Sequence, residues 1–344
     1  MSMKFMVRCG VAWSLCWLSL ASCAGQDDRA AALTSIDAAV DEQLSGNDLD
    51  SVGGSMPEPL PFEVLRIPVG EFVFEALAAG PSDGPVVLLL HGFPQTAYQY
   101  RQQLIALAEA GYRAIAPNQR GYSPEARPET VSQYGILLLV QDILGIADAL
   151  GLPRFHLVGH DWGGGVAWGF SRFFPNRVLS LTVLSTPHPD AMNAELADPT
   201  SCQFQASAYF DDFVGDDALE YLRNVGNSAD SSLAFECISD DLLDEYLKII
   251  NDDDALRAAL NWYRANVKDR KFNTPALGPI DVPVLYLWGA EDGVFCHDSA
   301  EQTADYVSGD YHFEVLEGVG HWVTDCASDK ITELLLEHVA THGG

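Results

Sequence analysis

Aspartate 161 stands in a setting that suits a nucleophile. The segment Gly159-His160-Asp161-Trp162-Gly163 joins a predicted strand to a predicted helix. Small residues on both sides of a reactive group permit the sharp turn called a nucleophile elbow, in which serine is the usual central residue. Aspartate is already ionised at neutral pH, so Asp161 can attack an electrophilic sp³ carbon without help from a base. The alternative is that Asp161 only caps the helix.

Two later segments supply the partners that such a nucleophile needs. Leu287-Trp288-Gly289-Ala290-Glu291-Asp292 ends one predicted strand, and Gly318-Val319-Gly320-His321-Trp322 follows the next. The chain order is then nucleophile, acid and base, with Asp292 orienting His321 so that its imidazole can activate water. Glu291 is the only close rival of Asp292. A capping aspartate and a loop histidine without function are the alternatives.

A glycine-bearing turn after the first buried strand can provide hydrogen-bond donors for a developing negative charge. This turn is His91-Gly92-Phe93-Pro94, and the backbone N–H groups of Phe93 and Trp162 are the candidate oxyanion donors. We expect His91 to orient this loop through hydrogen bonds. His160 and His188 are predicted to have structural roles.

The elements that must position these residues alternate between strand and helix from residue 61 onward. Apolar runs predict strands at 62–67, 71–75, 86–90, 112–116, 155–158, 178–184, 284–288 and 313–316. Helical spacing of apolar residues predicts helices at 98–109, 136–150, 162–174 and 328–338. Such alternation indicates a parallel sheet covered by helices on both faces, which binds ligands beyond the carboxyl ends of its strands.

The alternation is interrupted between residues 190 and 272. No strand is predicted there, and acidic helices are expected at 217–223, 240–250 and 253–267. We call residues 190–272 the helical cap, because an insertion at this point would lie over the edge of the sheet where ligands bind. The predicted core then consists of residues 61–189 and 273–344.

The charge balance is strongly acidic. The chain has 49 Asp and Glu residues against 19 Lys and Arg residues, and its formal net charge is −30. A surface of this charge repels phosphate backbones, so we expect no nucleic-acid partner.

The first 23 residues have the pattern of a secretory signal. Lys4 and Arg8 precede an apolar run at 11–20, and small residues follow at 21–24. Leu20-Ala21-Ser22-Cys23 also resembles the lipobox of bacterial lipoproteins, in which the cysteine carries lipid. Either Cys23 is acylated and anchors a periplasmic or cell-envelope lipoprotein to the membrane, or an ordinary signal is cleaved and the protein is secreted. Residues 24–60 are predicted to form an acidic, flexible tether.

Four cysteines remain after the signal, at Cys202, Cys237, Cys296 and Cys326. An even number in an oxidising compartment predicts two disulfides, for which three connectivities are possible. We favour Cys202–Cys237 and Cys296–Cys326, because each pair lies within one predicted region. The second bridge would tie the loop of the acid to the loop of the base. No metal-binding spacing such as C-x-x-C is present, and we expect neither metal nor cofactor.

Several motifs together resemble the epoxide hydrolases of the α/β-hydrolase superfamily, from about residue 62 to the C-terminus. They are Leu90-His91-Gly92-Phe93-Pro94, Arg120-Gly121-Tyr122-Ser123, Gly159-His160-Asp161-Trp162-Gly163-Gly164, Asn261-Trp262-Tyr263-Arg264 and Gly320-His321-Trp322. The resemblance implies an α/β-hydrolase fold, a mostly parallel doubly wound sheet with an inserted helical cap. It also implies that a small apolar epoxide forms an ester with Asp161, which water activated by His321 and Asp292 hydrolyses to a vicinal diol.

The acid that protonates the leaving oxygen is the point at which the sequence departs from the family pattern. The family uses two cap tyrosines, and Tyr263 matches one of them. Ala206 stands where the other is expected, and Tyr209 follows three residues later, about one helical turn away. Tyr209 could substitute or could be an ordinary packing residue. Alternatively Ser207 or Gln203 assists, or Tyr263 acts alone.

Three other functions compete with epoxide hydrolysis. A haloalkane dehalogenase would use the same triad, with Trp162 as a halide donor, but it usually has Asn where Phe93 stands. Fluoroacetate dehalogenases share the His91 to Pro94 motif but typically have a basic residue in place of Trp162. A ligand-binding receptor of this fold would release neither diol nor halide, and an esterase is disfavoured because the elbow lacks serine.

Overall fold

The computed structural model describes residues 62–226 and 237–343, which belong to a single compact unit. The predicted signal, the lipidation candidate Cys23 and the predicted tether lie outside the described residues. Among the described helices, none is both long and apolar enough to cross a membrane.

An eight-stranded mixed sheet forms the centre of the described chain, in the order β1-β2-β4-β3-β5-β6-β9-β10. The first two pairings, β1 with β2 and β2 with β4, are antiparallel, and the remaining pairings are parallel. The strands are β1 Glu63–Val69, β2 Phe72–Ala79, β3 Val86–Leu90, β4 Arg113–Pro117, β5 Phe155–His160, β6 Val178–Leu184, β9 Val284–Gly289 and β10 Tyr311–Leu316.

Helices cover both faces of this sheet. Those outside the helical cap are α1 Arg101–Glu109, α2 Ile136–Ala149, α3 Trp162–Phe173, α10 His297–Gln302, α11 Val323–Cys326 and α12 Ser328–Thr341. Short 3-10 turns occupy Ala97–Tyr100, Pro124–Ala126, Val131–Tyr134, Pro175–Arg177 and Thr303–Tyr306. The predicted α/β-hydrolase fold class is therefore confirmed.

Strand β3 shows why the central strands have continuous apolar sequences. Leu88 and Leu90 pack into the core that α2 and α3 cover, whereas Val87 and Leu89 pack into the core that α1 and α12 cover. Successive side chains of a strand point to opposite faces, so a strand buried on both sides must be apolar throughout. Because β3, β5, β9 and β10 run parallel, their carboxyl ends lie at the same edge of the sheet.

The helical cap follows β6 and precedes β9. Helix α4, Pro189–Leu196, leads into the cap. The cap helices that follow are α5 Cys202–Ala206, α6 Tyr209–Val214, α7 Ala218–Gly226, α8 Asp240–Asn251 and α9 Asp253–Asn266. The prediction of no strand here was wrong in one detail. Residues Val267–Lys268 (β7) and Lys271–Phe272 (β8) pair as a minimal antiparallel hairpin, too short to give an alternating sequence pattern.

Buried hydrogen bonds fix α9 to the core. The side chain of Asn266 accepts from the N–H of Ile136 at 2.7 Å and donates to the carbonyl of Tyr134 at 2.9 Å. The indole N–H of Trp262 donates to the carbonyl of Arg120 at 2.8 Å. Tyr263, which follows Trp262, is therefore held at a fixed place above the sheet.

The favoured disulfide pairing was wrong. Cys202 pairs with Cys296 and Cys237 pairs with Cys326, with Cα–Cα distances of 6.1 and 5.1 Å. Each bridge joins the helical cap to the core. Cys202 lies at the start of α5, which packs against α10, and α10 begins just after Cys296. The four cysteines do form two bridges as predicted, but closeness along the chain did not indicate the partners.

Candidate active site

The elbow at Asp161 has the backbone that its sequence predicts. Asp161 lies between β5 and α3 with φ of 50° and ψ of −122°, a conformation that costs a non-glycine residue about 1–3 kcal/mol. A Cβ at Gly159 would collide with the backbone of Gly163, and one at Gly163 would collide with the carbonyl of Leu90. The glycines are thus required by close backbone approach, and the turn projects the carboxylate beyond the sheet.

The two carboxylate oxygens of Asp161 face different groups. Oδ1 accepts the backbone N–H of Phe93 at 2.7 Å, and the backbone N–H of Trp162 also bonds the carboxylate. Oδ2 lies 3.9 Å from Nε2 of His321. Burial raises the pKa of the Asp161 carboxyl, while His321 and the two N–H donors oppose this shift. Oδ1 is therefore bonded to the Phe93 N–H, and Oδ2 is the oxygen nearer the base.

Asp292 orients the base. Its Oδ2 lies 3.1 Å from Nδ1 of His321, and its Oδ1 accepts the backbone N–H groups of Val294 at 2.7 Å and Phe295 at 3.0 Å. Glu291, the sequence rival of Asp292, is exposed. With Nδ1 engaged, Nε2 of His321 is the nitrogen that faces Asp161.

The charges around His321 set its protonation. Burial lowers the pKa of the imidazole, but the carboxylates of Asp292 and Asp161 outweigh burial, so the pKa lies above its ordinary value. A neutral imidazole can accept a proton from water. Alkylation of Asp161 would remove one of the two neighbouring charges and so ease the loss of the proton.

The other histidines in these motifs are engaged in structural contacts. Nδ1 of His91 bonds the carbonyl of Gly92 at 3.0 Å, and its Nε2 accepts the backbone N–H of Gln119 at 3.1 Å. Burial lowers the pKa of His91 to about 4. The structure therefore places His91 where it holds the loop that carries Phe93. His188 accepts the N–H of Asp190 and so caps α4.

The carbonyl of His321 has two donors, one of which the sequence did not indicate. Nε2 of His160 bonds this carbonyl at 3.0 Å, and the hydroxyl of Ser185 donates to it at 3.2 Å. Burial holds the pKa of His160 well below its ordinary value, so this imidazole is neutral. Ser185 has φ of 64° at the end of β6. A single serine after a buried strand gave no signal in the sequence.

An apolar cavity opens beside Asp161. Its empty volume is about 570 Å³, part of which is open solvent. Among the lining residues that the structure describes, Asp161 is the only charged one. The residues around the carboxylate are mainly aromatic or apolar: Trp162, Pro187, Met192, Tyr209, Phe210, Tyr263, Phe272 and Phe295. Phe295 was also not singled out from the sequence; its ring lies 5.6 Å from that of His321.

The structure brings Tyr209 and Tyr263 to the same cavity. Their ring centroids are 6.2 Å apart, and the nearby Tyr263 hydroxyl partly opposes the rise in the pKa of Tyr209. Tyr263 packs edge-on against Trp162 at 5.0 Å and against Phe93 at 5.3 Å. Burial raises the pKa of both tyrosines well above the ordinary value, so both are protonated near neutral pH and can act as acids.

The other candidate acids face elsewhere. The amide of Gln203 donates to the carbonyl of Val294 at 2.9 Å and to the hydroxyl of Ser207 at 3.1 Å, and it accepts the N–H of Cys296 at 3.0 Å. Neither Gln203 nor Ser207 lines the cavity. Gln203 thus binds the loop that follows Asp292, and of the three side chains considered as partners of Tyr263 only Tyr209 lines the cavity.

Comparison with known proteins identifies the class. Residues 85–325 match the sequence model of the alpha/beta hydrolase fold, and the chain belongs to the α/β-hydrolase superfamily. No cluster of His, Cys, Asp or Glu suited to hold a metal ion occurs in residues 62–226 and 237–343.

The relatives narrow the class. The chain is 33% identical over 300 residues to epoxide hydrolase A of Mycobacterium tuberculosis, covering 75% of this chain and 91% of that protein. It is 30% identical over 287 residues to mouse epoxide hydrolase 4, covering 79% and 77%. A crystal structure of an epoxide hydrolase from Vigna radiata matches with a TM-score of 0.70 at 27% identity, covering 82% of this chain and 99% of that structure. The chain is therefore an epoxide hydrolase-like enzyme.

Proposed function

We propose that this protein opens small apolar epoxides to vicinal diols in two covalent steps on Asp161. One observation carries the proposal. The Asp161 carboxylate has Phe93 N–H on Oδ1 at 2.7 Å, the Asp292-oriented His321 3.9 Å from Oδ2, and two protonated tyrosines lining the same cavity. The epoxide hydrolase names of the relatives support the same substrate class.

The first step forms an ester. Oδ2 of Asp161 attacks one ring carbon of the epoxide, and the bond between that carbon and the ring oxygen breaks. The ring oxygen takes a proton from Tyr263 or Tyr209, which becomes a tyrosinate stabilised by the other hydroxyl. Because the carboxylate starts as an anion, no base is needed here.

The second step hydrolyses the ester. His321 takes one proton from water while the water oxygen adds to the ester carbonyl carbon. Negative charge collects on Oδ1, where the N–H groups of Phe93 and Trp162 stabilise it. The tetrahedral intermediate collapses, and the diol leaves with the proton from His321. The second water proton, left on the Asp161 carboxyl, returns to the tyrosinate, so the enzyme is restored.

The cavity lining disfavours anionic substrates. A negative charge on the substrate would be buried among aromatic and apolar side chains beside the Asp161 carboxylate, with no basic side chain among the described lining residues, and such burial is costly. The dehalogenase alternative is less well supported, because Tyr263 packs edge-on against the Trp162 ring at 5.0 Å and the side chain of Phe93 offers no donor to a halide.

Trapping of the ester tests this function. The His321→Gln variant is mixed with a panel of neutral epoxides and haloalkanes, and intact-protein mass is recorded. We expect a mass gain equal to a whole epoxide, mapped to Asp161, and none in the Asp161→Ala/His321→Gln control. A gain equal to an alkyl group without halogen would reassign the enzyme as a dehalogenase. Folded protein without any adduct would contradict the proposal.

We also propose that the enzyme is exported, with Cys23 as the lipidated residue. Two disulfides within the described chain support an oxidising compartment. Mass analysis of the protein purified from its native cells should find an acylated N-terminal peptide starting at Cys23. An unmodified Cys23 after cleavage would leave a secreted enzyme, and an uncleaved chain with free thiols would contradict export.

A further inference from the structure

A second buried polar cluster lies outside the catalytic cavity and joins three parts of the molecule. We call it the cap junction; it consists of Gln95, Arg101, Tyr246 and Asp325. Gln95 lies two residues after Phe93, Asp325 lies in α11 four residues after His321, and Tyr246 lies in α8 of the helical cap. None of the four lines the cavity.

The contacts of the cap junction converge on one carboxylate. The amide of Gln95 donates to the Tyr246 hydroxyl at 3.1 Å and to Oδ2 of Asp325 at 3.2 Å. The Tyr246 hydroxyl donates to the same Oδ2 at 3.4 Å, and Arg101 binds Oδ1 at 2.9 Å. The Asp325 side chain is 1% exposed, so this carboxylate depends on its protein partners.

A pair of hydrogen bonds and a disulfide next to the cap junction join the same three segments. Gln99 accepts the backbone N–H of Gly92 at 3.2 Å and donates to the Thr324 hydroxyl at 3.3 Å. Cys326, next to Asp325, is bridged to Cys237 of the helical cap. The loop of the oxyanion donor, the helix after the base and the helical cap are therefore joined at successive residues.

The composition of the cap junction argues for a geometric role. Apolar residues of similar volume often stabilise a protein as well as a buried ion pair does, so stability alone does not account for a buried carboxylate here. The hydrogen bonds of Gln95, Tyr246 and Arg101 to the Asp325 carboxylate fix the relative positions of these side chains, and Oε1 of Gln95 alone has no partner among the described residues. The positions that the cap junction fixes are those of Phe93 N–H and His321.

These two groups act together in only one of the two proposed steps. Ester hydrolysis needs the base and the oxyanion donor at once, whereas ester formation uses Oδ2 of Asp161 and the cap tyrosines. A displacement of about 1 Å caused by a mutation far from the chemistry can cost on the order of 100-fold in rate. Loosening of the cap junction should therefore slow ester hydrolysis more than ester formation.

We propose that Tyr246, Gln95 and Asp325 are positioning residues through which the docked helical cap holds His321 and the Phe93 N–H in register for ester hydrolysis. The assignment of the step rests on the proposed epoxide hydrolase function; the link between the three segments rests on the hydrogen bonds alone.

The kinetic test follows both steps in a single turnover with styrene oxide, using rapid quench and intact-protein mass. Tyr246→Phe removes one hydroxyl and keeps the ring, and Asp325→Asn removes the charge and keeps the shape. The matched control is Tyr311→Phe, because the buried Tyr311 hydroxyl has no hydrogen-bond partner among the described residues. We expect the hydrolysis rate constant to fall about tenfold in Tyr246→Phe and further in Asp325→Asn, with ester formation changed less than about twofold. Equal slowing of both steps, or no change, would overturn the proposal.

A second measurement is independent of the chemistry. Hydrogen exchange followed by mass spectrometry should show faster exchange in the segments 92–101 and 321–326 of Tyr246→Phe than in wild type or Tyr311→Phe. Unchanged exchange in either segment would overturn the proposed link even if the enzyme acts on another substrate. Absence of an adduct in His321→Gln would instead count against the proposed function.

Discussion

The edge of the sheet and the helical cap contribute to one active site in different ways. Asp161 follows β5 directly and His321 lies in the loop after β10, so formation of the sheet brings both residues to one edge. Tyr209 and Tyr263 lie on cap helices whose position depends on buried contacts and on two disulfides to the core. The edge of the sheet that carries the reactive groups is thus indicated by the local sequence, whereas the position of the cap acids depends entirely on tertiary structure.

The largest expected effect is the loss of turnover when the nucleophile at the edge of the sheet is removed. Asp161→Ala should lower turnover by a factor on the order of 10⁴ or more, because the nucleophile is removed and water cannot replace it efficiently. Steady-state diol formation from styrene oxide measures this. The control is Glu291→Ala, an exposed residue beside the acid, for which a change below about twofold is expected. Comparable losses in both variants would contradict the assignment of the nucleophile.

The next effect separates the two cap tyrosines. Tyr263→Phe and Tyr209→Phe should each lower the rate of ester formation by about 100-fold, since loss of a positioned acid typically costs this much. Rapid-quench measurement of the ester provides the rate, and Tyr221→Phe on α7 is the control. If Tyr209→Phe behaves like Tyr221→Phe, Tyr209 only packs and Tyr263 acts alone.

Removal of one disulfide between the helical cap and the core should have a smaller effect, which is a loss of folding stability. Replacement of both cysteines of one bridge by serine, Cys202/Cys296 or Cys237/Cys326, should lower the free energy of unfolding by about 2–4 kcal/mol, because the unfolded chain gains freedom. Denaturant unfolding measures the loss, and wild type under reducing conditions should show both losses together. An unchanged unfolding midpoint would show that the cap is held without the bridges.

The smallest effect is a shift in pH dependence. The rate of ester hydrolysis should rise with pH as His321 loses its proton, because only the neutral imidazole accepts a proton from water. Asp161 helps to raise the pKa of His321 in the free enzyme, and the ester removes that charge. The midpoint of the hydrolysis profile should therefore lie below the His321 pKa measured by NMR in free enzyme. A midpoint at or above that value would contradict the claim that the Asp161 charge raises the pKa of His321.

The sequence predicted the parts of the site that depend on local geometry. Glycines around Asp161 indicated a turn that only small residues permit, and strand ends indicated where Asp292 and His321 would meet. It did not choose between Tyr209, Ser207 and Gln203, because α5 is oriented by the bonds of Gln203 to the loop after Asp292 and α6 by packing against α9. The cysteine pairing failed for the same reason, since partners 94 and 89 residues apart are brought together by cap docking.

The most direct test of the central claim is a single turnover of wild-type enzyme, in excess over styrene oxide, in water enriched in oxygen-18. If Asp161 forms an ester that water attacks at the carbonyl, the oxygen delivered to the diol comes from Asp161. The first-turnover diol should then be unlabelled, and the label should appear in the peptide containing Asp161. A labelled diol with unlabelled Asp161 would show direct attack by water and would contradict the covalent mechanism.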